Sequence, residues 1–143
     1  MKKSVIFAIA VIYIISIVVV GLFGASIRGA PPTIYCDAIQ IVDPTNSILT
    51  ETKVNGADYG FTIDYQENLS FSIQAKVKPT NCSFPAVDYF YNTDQNEYII
   101  EQEDNNVATI KLTDEAEQGC WIEGYAQSTD GKKLTVKFVI YAI

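Results

Sequence analysis

The sequence predicts an all-β chain: an antiparallel β-sandwich preceded by one N-terminal transmembrane helix. Three observations carry this. Between Lys3 and Arg28 there is no charge, and Val5 to Ala25 consists of Val, Ile, Ala, Phe, Leu and Gly interrupted only by Tyr13 and Ser16. Beyond that stretch apolar residues recur with period two or in short runs, and nowhere does a sustained 3.6-residue repeat appear. Nine Tyr and seven Phe among 143 residues add strand-forming composition.

The apolar run defines a transmembrane signal-anchor over residues 4–27, which contacts the lipid bilayer. At 1.5 Å per residue, two dozen helical residues reach ~36 Å, enough for the ~30 Å hydrocarbon layer with some tilt. Lys2 and Lys3 precede it and only Arg28 follows closely, so the positive-inside bias keeps residues 1–3 as a cytoplasmic stub and exports the remainder. A cleaved signal peptide has a shorter core, roughly 7–15 residues, ending at small residues. Here Phe23/Ala25 and Leu22/Gly24 put a bulky side chain at −3 of the cut and Arg28/Ala30 puts a charge there. Only Gly24/Ser26 fits, so the anchor is expected to stay, with cleavage after Ser26 as the alternative. The first cysteine is Cys36, which excludes a lipid-modified start, and the helix lacks the early acidic residue of type IV pilins. Gly21 and Ala25 form one small-xxx-small pair. Residues 28–33 read as a tether stiffened by Pro31-Pro32, about 20 Å long at ~3 Å per residue.

Residues 34–143 form the predicted sandwich. Ile34 to Val42 is the first strand, closed by Asp43-Pro44-Thr45-Asn46. Ile48 to Val54 and Ala57 to Tyr65 flank Asn55-Gly56, a two-residue hairpin signal in which both positions need positive φ. Leu69 to Lys78 alternates cleanly: Leu69, Phe71, Ile73, Ala75 and Val77 against Ser70, Ser72, Gln74, Lys76 and Lys78, one face dry and one wet. Val87 to Tyr91, Tyr98 to Gln102 and Val107 to Leu112 follow as short strands. Cys120 to Ser128 and Leu134 to Ile143 close the chain as a hairpin across Thr129-Asp130-Gly131-Lys132, with Leu134, Val136, Phe138, Ile140 and Ala142 on one face. Seven or more short strands at such intervals imply a sandwich.

Composition narrows the function classes. Net charge is −7, and with Lys2 and Lys3 inside the cell the exported part is more acidic still, so nucleic acid is not an expected partner. Histidine is absent, removing the commonest general base and metal ligand. With roughly 110 exported residues and no nucleophile signature, we expect no enzyme, no catalytic residues and no cofactor. Asp94, Glu97, Glu101, Glu103 and Asp104 offer oxygen ligands for Ca²⁺, but without the Asp-x-Asp spacing and glycine turn a calcium loop uses, so no metal site is expected. Asn68-Leu69-Ser70 and Asn81-Cys82-Ser83 fit the N-glycosylation pattern, which arises often by chance.

Three cysteines in an exported domain raise a disulfide with one thiol left over. If strands run alternately up and down, Cys36 near the start of the first strand and Cys82 just past the end of the Leu69 strand fall at one end of the sandwich and Cys120 at the other. A Cys36–Cys82 bridge is expected, closing a loop of about 47 residues worth at most roughly 4 kcal/mol. The alternative is three reduced, buried thiols.

The order of signals also resembles a known family. The run 69–83 (LSFSIQAKVKPTNCS), then 87–93 (VDYFYNT), 106–110 (NVATI), 119–126 (GCWIEGYA) and 132–140 (KKLTVKFVI) is similar to the group 2 bacterial immunoglobulin-like domain of intimin- and invasin-type surface proteins. The likeness covers Tyr59 to Ile143, with an insertion near 43–58 and aromatics in the glycine-led strand where the family prefers small residues. It implies an immunoglobulin-like antiparallel sandwich over 34–143 and a structural or adhesive role without catalysis. In such a sandwich Tyr89 takes the place of the buried aromatic on the third strand, so Phe90 points outward. If Cys120, Ile122, Gly124 and Ala126 face the core, Trp121 and Tyr125 face out. Phe90, Trp121 and Tyr125 are then candidate binding residues on one exposed patch, cross-strand packing being the other reading. The expected activity is binding or scaffolding of a protein partner at the cell surface; adhesion, carbohydrate binding, or a subunit role in an envelope or filament assembly are the alternatives.

Overall fold

A computed structural model describes residues 2–26, 29 and 31–143. Ile27 at the end of the expected anchor and Arg28 and Ala30 of the expected tether lie outside the described residues. The chain divides into two compact units, Met1–Pro32 and Thr33–Ile143.

The first unit is one helix, α1 (Lys3–Ser26), whose 24 residues reach ~36 Å. Over Lys3–Gly24 it is long and apolar enough to cross a membrane, with a mean hydropathy of 3.1. It has no polar stripe to set against a partner face; hydrophobic side chains lie all round. The Ser16 hydroxyl donates to the Ile12 carbonyl at 2.8 Å, so this polar group is satisfied within the helix.

The second unit is built from nine strands: β1 (Ala38–Val42), β2 (Thr50–Glu51), β3 (Tyr59–Ile63), β4 (Ser70–Lys78), β5 (Val87–Phe90), β6 (Tyr98–Gln102), β7 (Val107–Leu112), β8 (Trp121–Ser128) and β9 (Thr135–Ala142). They form a four-stranded sheet in the order β1-β4-β7-β6 and a five-stranded sheet in the order β2-β3-β9-β8-β5. The pairings are antiparallel except β3 with β9, which run parallel from Tyr59↔Phe138 to Ile63↔Ala142.

Period-two alternation packs the two sheets. From the four-stranded sheet, Ile39, Ile41, Phe71, Ile73, Ala75, Tyr98, Ala108 and Ile110 are buried; Phe61, Ile63, Val87, Ile122, Ala126, Phe138 and Ile140 meet them from the other sheet. Lys76 and Lys78 lie on the wet face of β4, as its alternation requires, but Leu69, expected on the dry face, precedes the strand and is exposed. One residue breaks the rule. Val139 belongs to the outward set of β9 yet is buried; Val54 lies over Gly60, the register partner of Val139, close enough that a Cβ at 60 would stand 2.7 Å from the Val54 methyl.

Two local expectations are corrected. Residues 34–37 are not strand: Ile34 and Cys36 bond to side chains of the 79–85 loop and the β8–β9 turn, and pairing with β4 begins only with Asp37 N–H donating to Lys78 O at 2.7 Å. The segment 48–65 is a looser hairpin than Asn55-Gly56 suggests. Only Gly56 takes positive φ there, 82°, in a turn where Ala57 N–H donates to Val54 O at 3.3 Å. A single glycine at the third turn position satisfies this geometry, so Asn55 keeps an ordinary backbone and β2 shrinks to Thr50–Glu51.

Gly124 is required by close approach. A Cβ there would run into the Phe138 ring. Gly124→Ala is expected to cost about 1–3 kcal/mol through overpacking, read as a lower urea midpoint with an unchanged denaturant slope; an unchanged midpoint would show that Phe138 has room to move.

Candidate binding face

Strand β8 presents Trp121, Glu123 and Tyr125 on the side away from the core, because Ile122, Gly124 and Ala126 are buried between them. Register brings two neighbours alongside: Phe90 opposite Tyr125 and Tyr141 opposite Trp121. Phe90 is 50% exposed, and Trp121 and Tyr125 are each 38% exposed. All three sequence-derived candidates therefore share one face of the five-stranded sheet. The indole of Trp121 stands edge-on to Tyr141, ring centres 4.2 Å apart. Tyr89 turns the other way and meets Phe138 edge-on at 6.3 Å.

Glu123 organises this face. Its carboxylate accepts from Lys137 Nζ at 2.7 Å and from the Tyr125 hydroxyl at 3.2 Å. The Lys137 bond and charge, with the Tyr125 bond, hold Glu123 below the usual carboxylate range, and the Glu123 bond raises Lys137. Lys137 Nζ also stands 5.8 Å from the Tyr125 ring centre. From beneath, buried Tyr98 on β6 reaches across the sandwich: its hydroxyl donates to Glu123 O and accepts from Glu123 N–H, both at 2.9 Å, and accepts from Gln95 Nε2. Burial pushes the Tyr98 phenol upward, so it stays a neutral donor and acceptor. A groove of about 410 Å³ opens here, lined by Asn92, Gln95, Glu97, Trp121, Glu123 and Tyr125.

A second constellation surrounds the start of the domain. Ile34 N–H donates to Ser83 Oγ at 2.9 Å and Ser83 N–H returns a bond to Ile34 O at 2.8 Å. Cys36 N–H donates to Asp130 Oδ2 at 2.7 Å, and its thiol donates to Cys82 Sγ at 2.9 Å and lies 3.5 Å from Phe84 O. Lys132 Nζ stands 5.1 Å from the Tyr35 ring centre. Asp130 is only 3% exposed but fully engaged: Ser128 Oγ at 2.8 Å and Lys132 N–H at 3.2 Å also donate to it. The Cys36 amide bond leads in holding Asp130 below the usual carboxylate range. Cys36, Cys82 and Cys120 are all free thiols in this structure, and Cys120 sits before β8, at the end opposite the Asp130 turn.

A third set joins the sheets along one side. Gln102 and Asn106 sit at the end of β6 and the start of β7, and their side-chain amides serve the outer edge of β5. Asn106 Oδ1 accepts from Val87 N–H at 2.8 Å, Gln102 Nε2 donates to Val87 O at 3.0 Å, and Gln102 Oε1 accepts from Tyr89 N–H at 3.2 Å. Asn106 carries a φ of 60°, a conformation Asn tolerates. On the opposite side the Tyr59 hydroxyl donates to Ile39 O at 2.9 Å.

Sequence reasoning missed Gln102, Asn106 and Asp130: Gln102 looks like an ordinary polar strand end, and Asn106 and Asp130 like ordinary loop residues. Glu123 was legible in principle, standing between Trp121 and Tyr125 on the same strand face. In the acidic segment, Glu101 pairs with Lys111 at 2.6 Å and Glu103 accepts from the Thr109 hydroxyl at 2.5 Å. Among the described residues no group of three or more His, Cys, Asp or Glu is placed to hold a metal ion. Compared with known proteins, the chain matches no family model, no curated protein and no solved structure.

The two most engaged carboxylates set an acid limit. Burial works against the charge of Asp43, but bonds from the Thr45 hydroxyl and the Leu49, Ile48 and Thr45 amides outweigh it and hold the group low. Asp43 and Asp130 both have depressed folded values. Their stabilisation is therefore fully present above the unfolded Asp value of about 3.9 and is lost as pH falls through the lower folded value. Urea midpoints are expected to be flat from pH 7 to about 5 and to drop below about 4, with Asp130→Asn less stable at neutral pH and less sensitive to acid. An equally steep acid slope in Asp130→Asn would remove Asp130 from this account.

Proposed function

We propose that this chain is an exported immunoglobulin-like sandwich, held at the cell surface by α1 with its N-terminus in the cytoplasm, that binds a protein partner through the outer face of the five-stranded sheet. The observation that carries the reading is the grouping of Phe90, Trp121 and Tyr125 on one face, with Trp121 and Tyr125 lining a groove. Exposed Trp and Tyr contribute large contact area at small entropic cost and dominate the energetics of protein interfaces. The partner surface that fits is neutral or basic, since Glu97 lies in the groove wall and the chain carries −7.

The strand order supports the immunoglobulin-like part of the reading. An immunoglobulin sandwich sets four strands in the order A-B-E-D against C, F and G; β1-β4-β7-β6 against β9-β8-β5 has the same arrangement. Positive charge before α1 supports the orientation.

One observation favours a second reading, a carbohydrate ligand. Besides its aromatic side chains the groove is walled by the amides of Asn92 and Gln95 and the carboxylates of Glu97 and Glu123, a donor and acceptor set suited to hydroxyl groups.

Photo-crosslinking in cells tests both. A crosslinker at Phe90 is expected to give a discrete protein adduct that weakens at least about tenfold in Trp121→Ala, whereas one at Lys76, on the wet face of the other sheet, gives none. Equal adducts from both faces would refute the proposed face. Loss of the protein adduct together with Trp121-dependent retention on polysaccharide would replace the protein partner with a glycan.

A further inference from the structure

We propose that in the exported protein Cys36 and Cys82 are joined as a disulfide that locks the entry of the chain into the sandwich, while Cys120 remains a thiol. The inference rests on the proposed export of the domain and stands independently of the binding face. The two sulfurs are already in contact, 2.9 Å apart, 46 positions apart in sequence. Neither residue reaches that contact by chance of a loose loop. Cys36 is 1% exposed and fixed through its amide to Asp130, and Cys82 is 6% exposed with its amide bonded to Pro79 O at 3.1 Å. The paired bonds between Ile34 and Ser83 hold the two segments side by side just beyond the sulfurs.

The fold also decides between the possible pairings. Cys36 is bonded to Asp130, two residues past the end of β8, and Cys120 immediately precedes the start of β8. The eight residues of that strand span about 27 Å at ~3.4 Å each, whereas a disulfide needs its Cα atoms within about 7 Å. Cys120 is thus out of reach of Cys36, and of Cys82 beside it.

The bond forms by thiol–disulfide exchange with an exported oxidoreductase that carries a reactive disulfide. One cysteine thiolate attacks that disulfide, releasing one of its sulfurs and forming a mixed disulfide. The second cysteine then attacks its partner's sulfur, closing Cys36–Cys82 and leaving the oxidoreductase as a dithiol that has taken up two electrons and the two protons given up by the cysteines. In the closed domain the Cys36 thiol is pushed up to about 12, first by burial and then by Cys82 and Asp130. With Cys36 only 1% exposed in the closed domain, an oxidoreductase reaches it before the entry segment is buried.

The bridge encloses residues 37–81, which contain β1, β2, β3 and β4. β1 is an edge strand, paired only to β4. Tension arriving from the N-terminal side would otherwise peel β1 from β4 one pair at a time. With the bridge in place it ends at Cys36 and passes to the 79–85 loop.

The test is direct. The full chain is exported with its own N-terminal segment, solubilised from membranes, denatured, alkylated without reductant and mapped by mass spectrometry. The expected result is a linked peptide pair carrying Cys36 and Cys82, alkylation at Cys120 alone, and an unchanged linked pair in Cys120→Ser. Adding reductant is expected to lower the Tm by on the order of 10 °C. Alkylation at all three positions in the unreduced sample, or Cys120 within the linked pair, would overturn the proposal.

Discussion

Phe138 beneath Gly124 is the contact on which the rest of the domain is arranged. β9 lies at the centre of the five-stranded sheet, parallel to β3 on one side and antiparallel to β8 on the other. A ring as large as phenylalanine fits under its own register partner only because that partner has no side chain. Its position gives Tyr89 an edge to pack on and fixes which residues of β8 face inward. Trp121, Glu123 and Tyr125 are then left outward by simple alternation. The exposed face follows from the packing of the core.

Polar groups inside the sandwich are used as joints between layers. The Tyr98 hydroxyl takes both backbone groups of Glu123, tying the four-stranded sheet to the strand that carries the aromatic face. Tyr59, on the five-stranded sheet, donates to β1 of the other, and Asp130 fastens the first residues of the domain to the last hairpin. Each buried side-chain nitrogen or oxygen finds a partner, none being left unsatisfied among the described residues. Such groups contribute modestly to net stability, yet a missing partner would cost the full desolvation of the other, so they favour one arrangement of the sheets over near alternatives.

How much of this was readable beforehand depended on the range of the interaction. The apolar run of α1 and the alternation in Ser70–Lys78 are local, and each was legible from its own residues. So were the outward positions of Trp121 and Tyr125, which require only that Ile122 and Ala126 point in. The entry segment 34–37 was misjudged because its bonds go to residues 83 and 130, far along the chain, and extended backbone without a strand partner has the same sequence appearance as a strand. Asn55-Gly56 suggested a tighter turn because the dipeptide permits two positive φ values without requiring them; the packing of Val54 over Gly60 chose one. The parallel pairing of β3 with β9 leaves no trace in local pattern, since period two is the same for either direction.

The amides of Gln102 and Asn106 occupy the outward N–H and C=O of Val87 and the N–H of Tyr89, and this bears on how copies of the chain meet one another. Molecules confined to a plane with a common orientation meet one another far more often than free ones, and a bare strand border is a template that recruits the next copy. On this flank three of the border's backbone groups are already taken by the protein's own side chains. In the membrane-held arrangement proposed above, crowded copies would then meet without zipping through these groups into a continuous sheet, and the aromatic face next to them would stay available.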